Sequence, residues 1–151
     1  MPNATLTTVE KLYLGVQLTR PLMRNITARV EADLSGTGIS VGQRAILEVL
    51  LMCGQATAPD LTSVLQLKRQ YVARELKELH RNGMVETIRN PGHKTSHFYS
   101  MTGEAKSTIL SIRERETEKF AEFANRFTPQ EIDAFYRVQT ALNDEMAAST
   151  I

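Results

Sequence analysis

Lys68, Arg69 and Gln70 stand consecutively, and Arg74 follows Gln70 one helical turn later on the same face. These residue types read nucleic-acid bases: glutamine pairs with adenine and arginine with guanine, each through two hydrogen bonds, and lysine or arginine neutralises phosphates. Tyr71, in the same run, suits a phosphate or a thymine methyl, and equally suits packing against a neighbouring helix. A second polar group surrounds the turn Asn90-Pro91-Gly92-His93. There Arg89, His93, Lys94 and Ser96 would lie beside a minor groove or its phosphates, or else form a solvated turn with no partner. The charge distribution fits a role for both groups and equally fits a solvated helix face: residues 66–97 hold seven basic and three acidic residues, net +4, against eleven basic and fourteen acidic elsewhere. All three histidines, His80, His93 and His97, also fall in this basic centre, whose placement between acidic ends suits an approach to phosphates.

Other chemistries find little support. The chain has no glycine-rich phosphate loop, no nucleophile elbow and no pair of metal ligands at helical spacing, so neither catalysis nor a cofactor is expected. His80 beside Arg81 reads as a cationic helix end that offsets the dipole. A single cysteine, Cys53, excludes an internal disulfide, and no histidine spacing suits zinc, so no metal is expected. No apolar run approaches a membrane span, and Met1-Pro2-Asn3-Ala4-Thr5 lacks the basic and apolar segments of a signal peptide, which predicts a cytoplasmic protein. At 151 residues, 42% hydrophobic and 23% charged, the chain is long enough for one domain with its own core.

The elements that would position the basic residues follow from caps and periodicity. Thr7-x-x-Glu10 is a capping box opening a long amphipathic helix with Val9, Leu12, Val16, Leu22, Met23, Ile26, Val30 and Leu34 on its apolar positions. Pro21 should kink or divide it, and Gly36 and Gly38 should stop it. Ser40-x-x-Gln43 opens a short, nearly all-buried helix through Ile46, Leu47, Leu50 and Leu51, ended by Gly54. Thr57-Ala58-Pro59-Asp60 starts a two-turn helix running to about Leu65. After a break at 66–68, a fourth helix turns Val72, Leu76 and Leu79 inward and ends at Asn82-Gly83. Strands at 85–89 and 97–101 flank the Asn-Pro-Gly turn as a hairpin. Thr102 caps a long helix carrying Ala105, Ile109, Ile112, Phe120, Phe123 and Phe127. Thr128-Pro129-Gln130-Glu131 caps the last, with Ile132, Phe135, Val138, Leu142 and Met146 on one side.

Two short helices separated by a tight break and followed by a hairpin are the order of a winged helix-turn-helix, whose second helix enters the major groove. The expected fold is therefore mainly α with a small β-hairpin wing. The segments SVGQRAILE at 40–48, LKRQYVAR at 67–74, GMVE at 83–86, NPGHK at 90–94 and MTGEA at 101–105 resemble the MarR family of transcriptional regulators, a resemblance spanning nearly the whole chain. It implies a single domain over 1–151, with a winged helix-turn-helix at 40–101 and dimerisation helices at 7–35 and 102–148. It further implies a homodimer reading an inverted repeat in double-stranded DNA as a repressor, with Lys68, Arg69, Gln70, Tyr71 and Arg74 at the major groove and the 89–96 wing alongside.

The chain departs from the family pattern at Thr95: an arginine commonly follows the wing's basic residue, and here Lys94 or Arg89 would have to supply that cation. The resemblance also implies a small, often aromatic or phenolic effector in a cleft between the dimer helices and the winged motif. Met23, Met52 and Cys53 are candidates to line it, although methionines at helical spacing more often fill a core. Some relatives sense peroxide through a thiol, but Cys53, ending a helix that reads as buried with no cation nearer than Arg44, reads as inert. The competing reading is a non-catalytic ligand- or protein-binding module of the same fold that no longer binds DNA specifically. The near-neutral total charge and Thr95 favour it; the basic recognition face opposes it.

Overall fold

In the computed structural model, which describes residues 5–92 and 95–148, Thr7, Ser40, Thr57 and Thr128 each cap the helix that follows them. Thr7 opens α1 (Thr8–Gln17), its hydroxyl accepting from the Glu10 N–H while the Glu10 carboxylate accepts from the Thr7 N–H. α2 (Thr19–Leu34) follows after a one-residue interruption at Leu18, three residues before Pro21. The displacement has a local cause. Proline has no N–H to give the carbonyl of Gln17, four residues back, and its ring crowds that carbonyl, so the ladder breaks there and not at the proline.

Ser40 opens α3 (Val41–Cys53) with a complete capping box, and Gly54 ends it at φ 81°, a left-handed conformation glycine adopts without a Cβ clash. Five of its residues, Gln43, Ile46, Leu47, Val49 and Leu50, are buried. Its last turn is not: Met52 is 76% exposed and Cys53 is exposed. The buried character expected for this whole helix therefore stops one turn early, because the neighbouring elements cover its inward stripe and not its C-terminal end. Met23 is likewise exposed, so none of these three residues fills a core.

Thr57 does two jobs. Its backbone joins β1 (Ala56–Thr57), and its side chain caps α4 (Ala58–Leu65), closing a box with Asp60. The Thr57 backbone N–H, and then its hydroxyl, hold the Asp60 carboxyl below the usual carboxylate range. A lowered folded-state value means that the ionised form adds stability above the unfolded value and that this is lost as pH falls through the folded one. Asp60→Ala should therefore melt below wild type at neutral pH, and the gap should close as pH drops below the ordinary aspartate value of 3.8. A gap independent of pH in thermal melts would contradict the assignment.

The chain then forms α5 (Arg69–Arg81), β2 (Val85–Ile88), β3 (Phe98–Met101) and α6 (Gly103–Ala124). The sheet has three antiparallel strands in the order β1-β3-β2, with Val85 opposite Met101, Ile88 opposite Phe98 and Ala56 opposite Tyr99. The hairpin matches expectation; β1 carries no sequence signature, since two residues show no alternation and the second of them is itself a helix cap. Thr102 fixes the start of α6 by donating its hydroxyl to the Gly83 carbonyl at 2.8 Å and accepting from the Ala105 N–H.

The chain divides into two compact units, Met1–Leu110 and Ser111–Ile151. The core of the first gathers Ile46, Leu47 and Leu50 with Leu61, Val72, Leu76, Leu79, Val85 and Ile109, all essentially inaccessible. The second contains the rest of α6 and α7 (Pro129–Ala148), the latter capped by Thr128 and Glu131 as the sequence predicts. Here Phe123 and Phe127 stack at 5.5 Å between centroids, yet Phe120, Phe123, Phe127, Phe135 and Met146 all remain exposed. No helix among the described residues is long and apolar enough to cross a membrane.

Candidate nucleic-acid interface

The break between α4 and α5 is built without glycine. Gln66 ends α4 in the left-handed region at φ 53°, and Leu67 turns the chain so that Lys68 becomes the N-cap of α5. Lys68 makes no side-chain capping bond and no acidic residue lies in the first turn. The unsatisfied N–H groups and positive dipole end of α5 therefore stand beside Lys68 and Arg69 with nothing acidic to offset them. That is an anion-seeking helix end.

Val72, Leu76 and Leu79 anchor the inner face of α5, so Lys68, Arg69, Gln70 and Arg74 are all exposed on the outer side. Ala73 and Lys77 are exposed beside them and belong to the same surface, although the sequence reading did not include them. Their signal was present, since residues three and four apart share a helix face with Gln70 and Arg74. The far end is closed by a Schellman motif in which Gly83 (φ 72°) donates to His80 and Met84 donates to Leu79. That turn leads straight into β2 and so sets the hairpin beside the helix.

Tyr71 is half-buried. Its ring packs on α3 at Gly42, where its hydroxyl fills the space a Cβ would need, and the Arg74 guanidinium sits 5.4 Å above its centroid. This realises the packing alternative for Tyr71. Gly42→Ala should accordingly destabilise the protein by about 1–3 kcal/mol, as overpacking does. The loss should shrink in Gly42→Ala/Tyr71→Leu, as read by urea unfolding; equal losses in both would remove Tyr71 as the cause.

In the hairpin, Arg89 is exposed just after β2, and the Asn90 side chain accepts from the Gly92 N–H to shape the turn. Ser96 is half-buried and Thr95 and His97 are exposed, whereas His93 and Lys94 lie outside the described residues. β1 ties this hairpin back to the cap of α4, fixing the wing to the helix pair.

Of the three candidate effector residues, Met23 lines a described space within the chain. Met23 joins Val16, Gln17, Thr19, Arg20 and Pro21 around a space of about 700 Å³ at the α1–α2 break, a lining that includes neither Met52 nor Cys53. Among the described residues no group of three or more His, Cys, Asp or Glu gathers as a metal site.

A crystal structure of a MarR family transcription regulator is 46% identical to this chain, covers 93% of each chain and superposes with a TM-score of 0.87. The chain belongs to the MarR family. Two structures captured on DNA share the fold at lower identity. One is a cysteine-to-serine mutant of MarR from E. coli with operator DNA, 17% identical over 91% of this chain and 99% of that one, TM-score 0.73. The other is Streptococcus pneumoniae FabT in complex with DNA, 16% identical over 91% and 98%, TM-score 0.79. No protein-family model and no curated protein matches the chain. The winged helix-turn-helix and its flanking helices are thus those of this MarR-family fold.

Proposed function

We propose that this MarR-family chain is a sequence-specific DNA-binding transcription regulator that acts as a homodimer on an inverted repeat. The observation carrying the reading is the exposed, acid-free first turn of α5, with Lys68, Arg69, Gln70 and Arg74 beside a wing that bears Arg89. MarR-family regulators are non-catalytic, and the chain is not an enzyme. Proteins that share this fold have been captured on DNA, one of them with operator DNA.

Dimer formation is supported by apolar faces left open in each unit: Leu12, Val16, Leu22 and Ile26 in α1 and α2, and Ile132, Phe135 and Val138 in α7. Exposed apolar faces of this kind on a lone chain are what an association surface would leave open. In a two-fold dimer the recognition helices would enter successive major grooves about 34 Å apart. A small molecule that binds better to a dimer of different spacing would weaken DNA binding by shifting that population. The space around Met23 is one place for it; repression by occluding polymerase is the default consequence.

The test is selection of genomic fragments by the purified protein at near-physiological salt, since affinity depends steeply on ionic strength. Enrichment of an inverted repeat is the expected result and identifies the regulated genes. Failure to enrich any sequence, from protein shown to be free of bound small molecules, would transfer the reading to a module that keeps the fold without binding DNA specifically.

A further inference from the structure

Resting on that DNA-binding reading, we propose that Glu75 is a positioning residue for Arg74, held in place from α3 by the buried Gln43, and that this relay sets base discrimination. Gln43 is 4% exposed and uses both ends of its amide. Its oxygen accepts from the Ser40 N–H at 3.1 Å, completing the cap of α3, and its Nε2 donates to Glu75 Oε2 at 2.9 Å, thirty-two residues away. The second carboxylate oxygen, Oε1, lies 3.6 Å from Arg74 Nε. On the same guanidinium, the Tyr71 ring supplies a platform, and that ring is itself seated on Gly42. Adjacent α3 residues, Gly42 and Gln43, thus constrain one exposed arginine by two routes.

The geometry matters because of which guanidinium edge it engages. At 3.6 Å the Glu75 carboxylate is an ion-pair partner on the Nε side of the guanidinium, beyond hydrogen-bond length, and it leaves Nη1 and Nη2, the end edge, for a base. A bidentate contact to guanine O6 and N7 needs two such donors in a fixed plane. Arg74 has a side chain 70% exposed, so the ion pair adds little to stability, and its effect lies in restricting a long, rotamer-rich side chain before DNA arrives. The Glu75 side chain, at 12% exposure, is the fixed member of the pair. Gln43 also draws Glu75 inward, keeping a carboxylate away from the phosphates.

Two variants separate this role from folding. Gln43→Glu retains the side chain that a capping box prefers but sets a second carboxylate against Glu75, displacing it. Glu75→Gln offers one oxygen where two are used, so either Gln43 or Arg74 loses its partner. Binding is measured at fixed salt to the selected operator and to operators with each base pair beneath α5 exchanged in turn. Both variants should lose about tenfold in discrimination at the pair that Arg74→Ala also relaxes, within the range of a bidentate base contact. Affinity for random DNA should shift only as the change in charge dictates, up for Glu75→Gln and down for Gln43→Glu, so the ratio between operators is the readout, and in an Arg74→Ala background neither substitution should cost any further discrimination. Retained discrimination, an equal loss on all sequences, or an undiminished loss without Arg74 would overturn the relay while leaving the regulator reading intact. A wild-type protein with no sequence preference would overturn both.

Discussion

Removing residues 128–151 should convert the protein to a monomer or to insoluble material, as read by light scattering. The unit Ser111–Ile151 stands at the size, about 40 residues, near which a chain generally needs a staple or a partner to bury a core. Its apolar side chains show this directly: Phe120 is 70% exposed, Phe135 60% and Met146 58%. Fully burying a large apolar side chain is worth about 1.5–3 kcal/mol. Association costs about 4–15 kcal/mol in lost freedom. In the proposed dimer Phe135 and Met146, with smaller shares from the less exposed Ile132 and Val138, would supply a sum of the same order as the cost of association, and without α7 the balance would fail. Phe135→Glu is the milder companion, because it places a charge on that face and leaves the core of the other unit untouched. A truncated protein that remains a soluble, DNA-competent dimer would refute the assignment.

Arg74→Ala should weaken operator binding by about 1–3 kcal/mol and relax specificity at one base pair. The fold should survive, because the side chain is 70% exposed and its contacts with the Tyr71 ring and the Glu75 carboxylate lie at the surface of α5. Lys68→Ala makes the useful contrast. A lysine at the N-cap of α5 would meet a phosphate in the proposed docking, so its loss should lower affinity evenly across sequences and reduce the dependence of log affinity on log salt by about one. Titrations at several salt concentrations distinguish the two patterns. If Arg74→Ala binds the operator as wild type does, the docking of α5 in the major groove is wrong.

Much of the fold was legible because its signals are local. Thr7, Ser40 and Thr128 each stand three residues before a Glu or Gln, and the reciprocal bonds they form involve no distant partner. The inward stripe of Val72, Leu76 and Leu79 follows from helical spacing, and the hairpin follows from its turn residues. The basic residues of α5 were legible for the same reason: once the inner stripe is known, Arg69, Gln70 and Arg74 have only the outer face left to them.

Where reading by periodicity failed, the deciding fact was what lay across from a residue. Cys53 and Met52 continue an apolar helix yet end exposed, since burial depends on where the covering elements stop. β1 is two residues long and exists only because β3 passes beside it. The pairing of Gln43 with Glu75 and the seating of Tyr71 on Gly42 join α3 to α5 and leave no trace in either segment alone. The sequence by itself determined the caps, the stripes, the turn and the basic face, because each arises from neighbours along one helix or hairpin. The tertiary structure alone decided which apolar faces stay open and how Arg74 is held, because exposure and side-chain orientation are set by contacts between segments far apart in the chain.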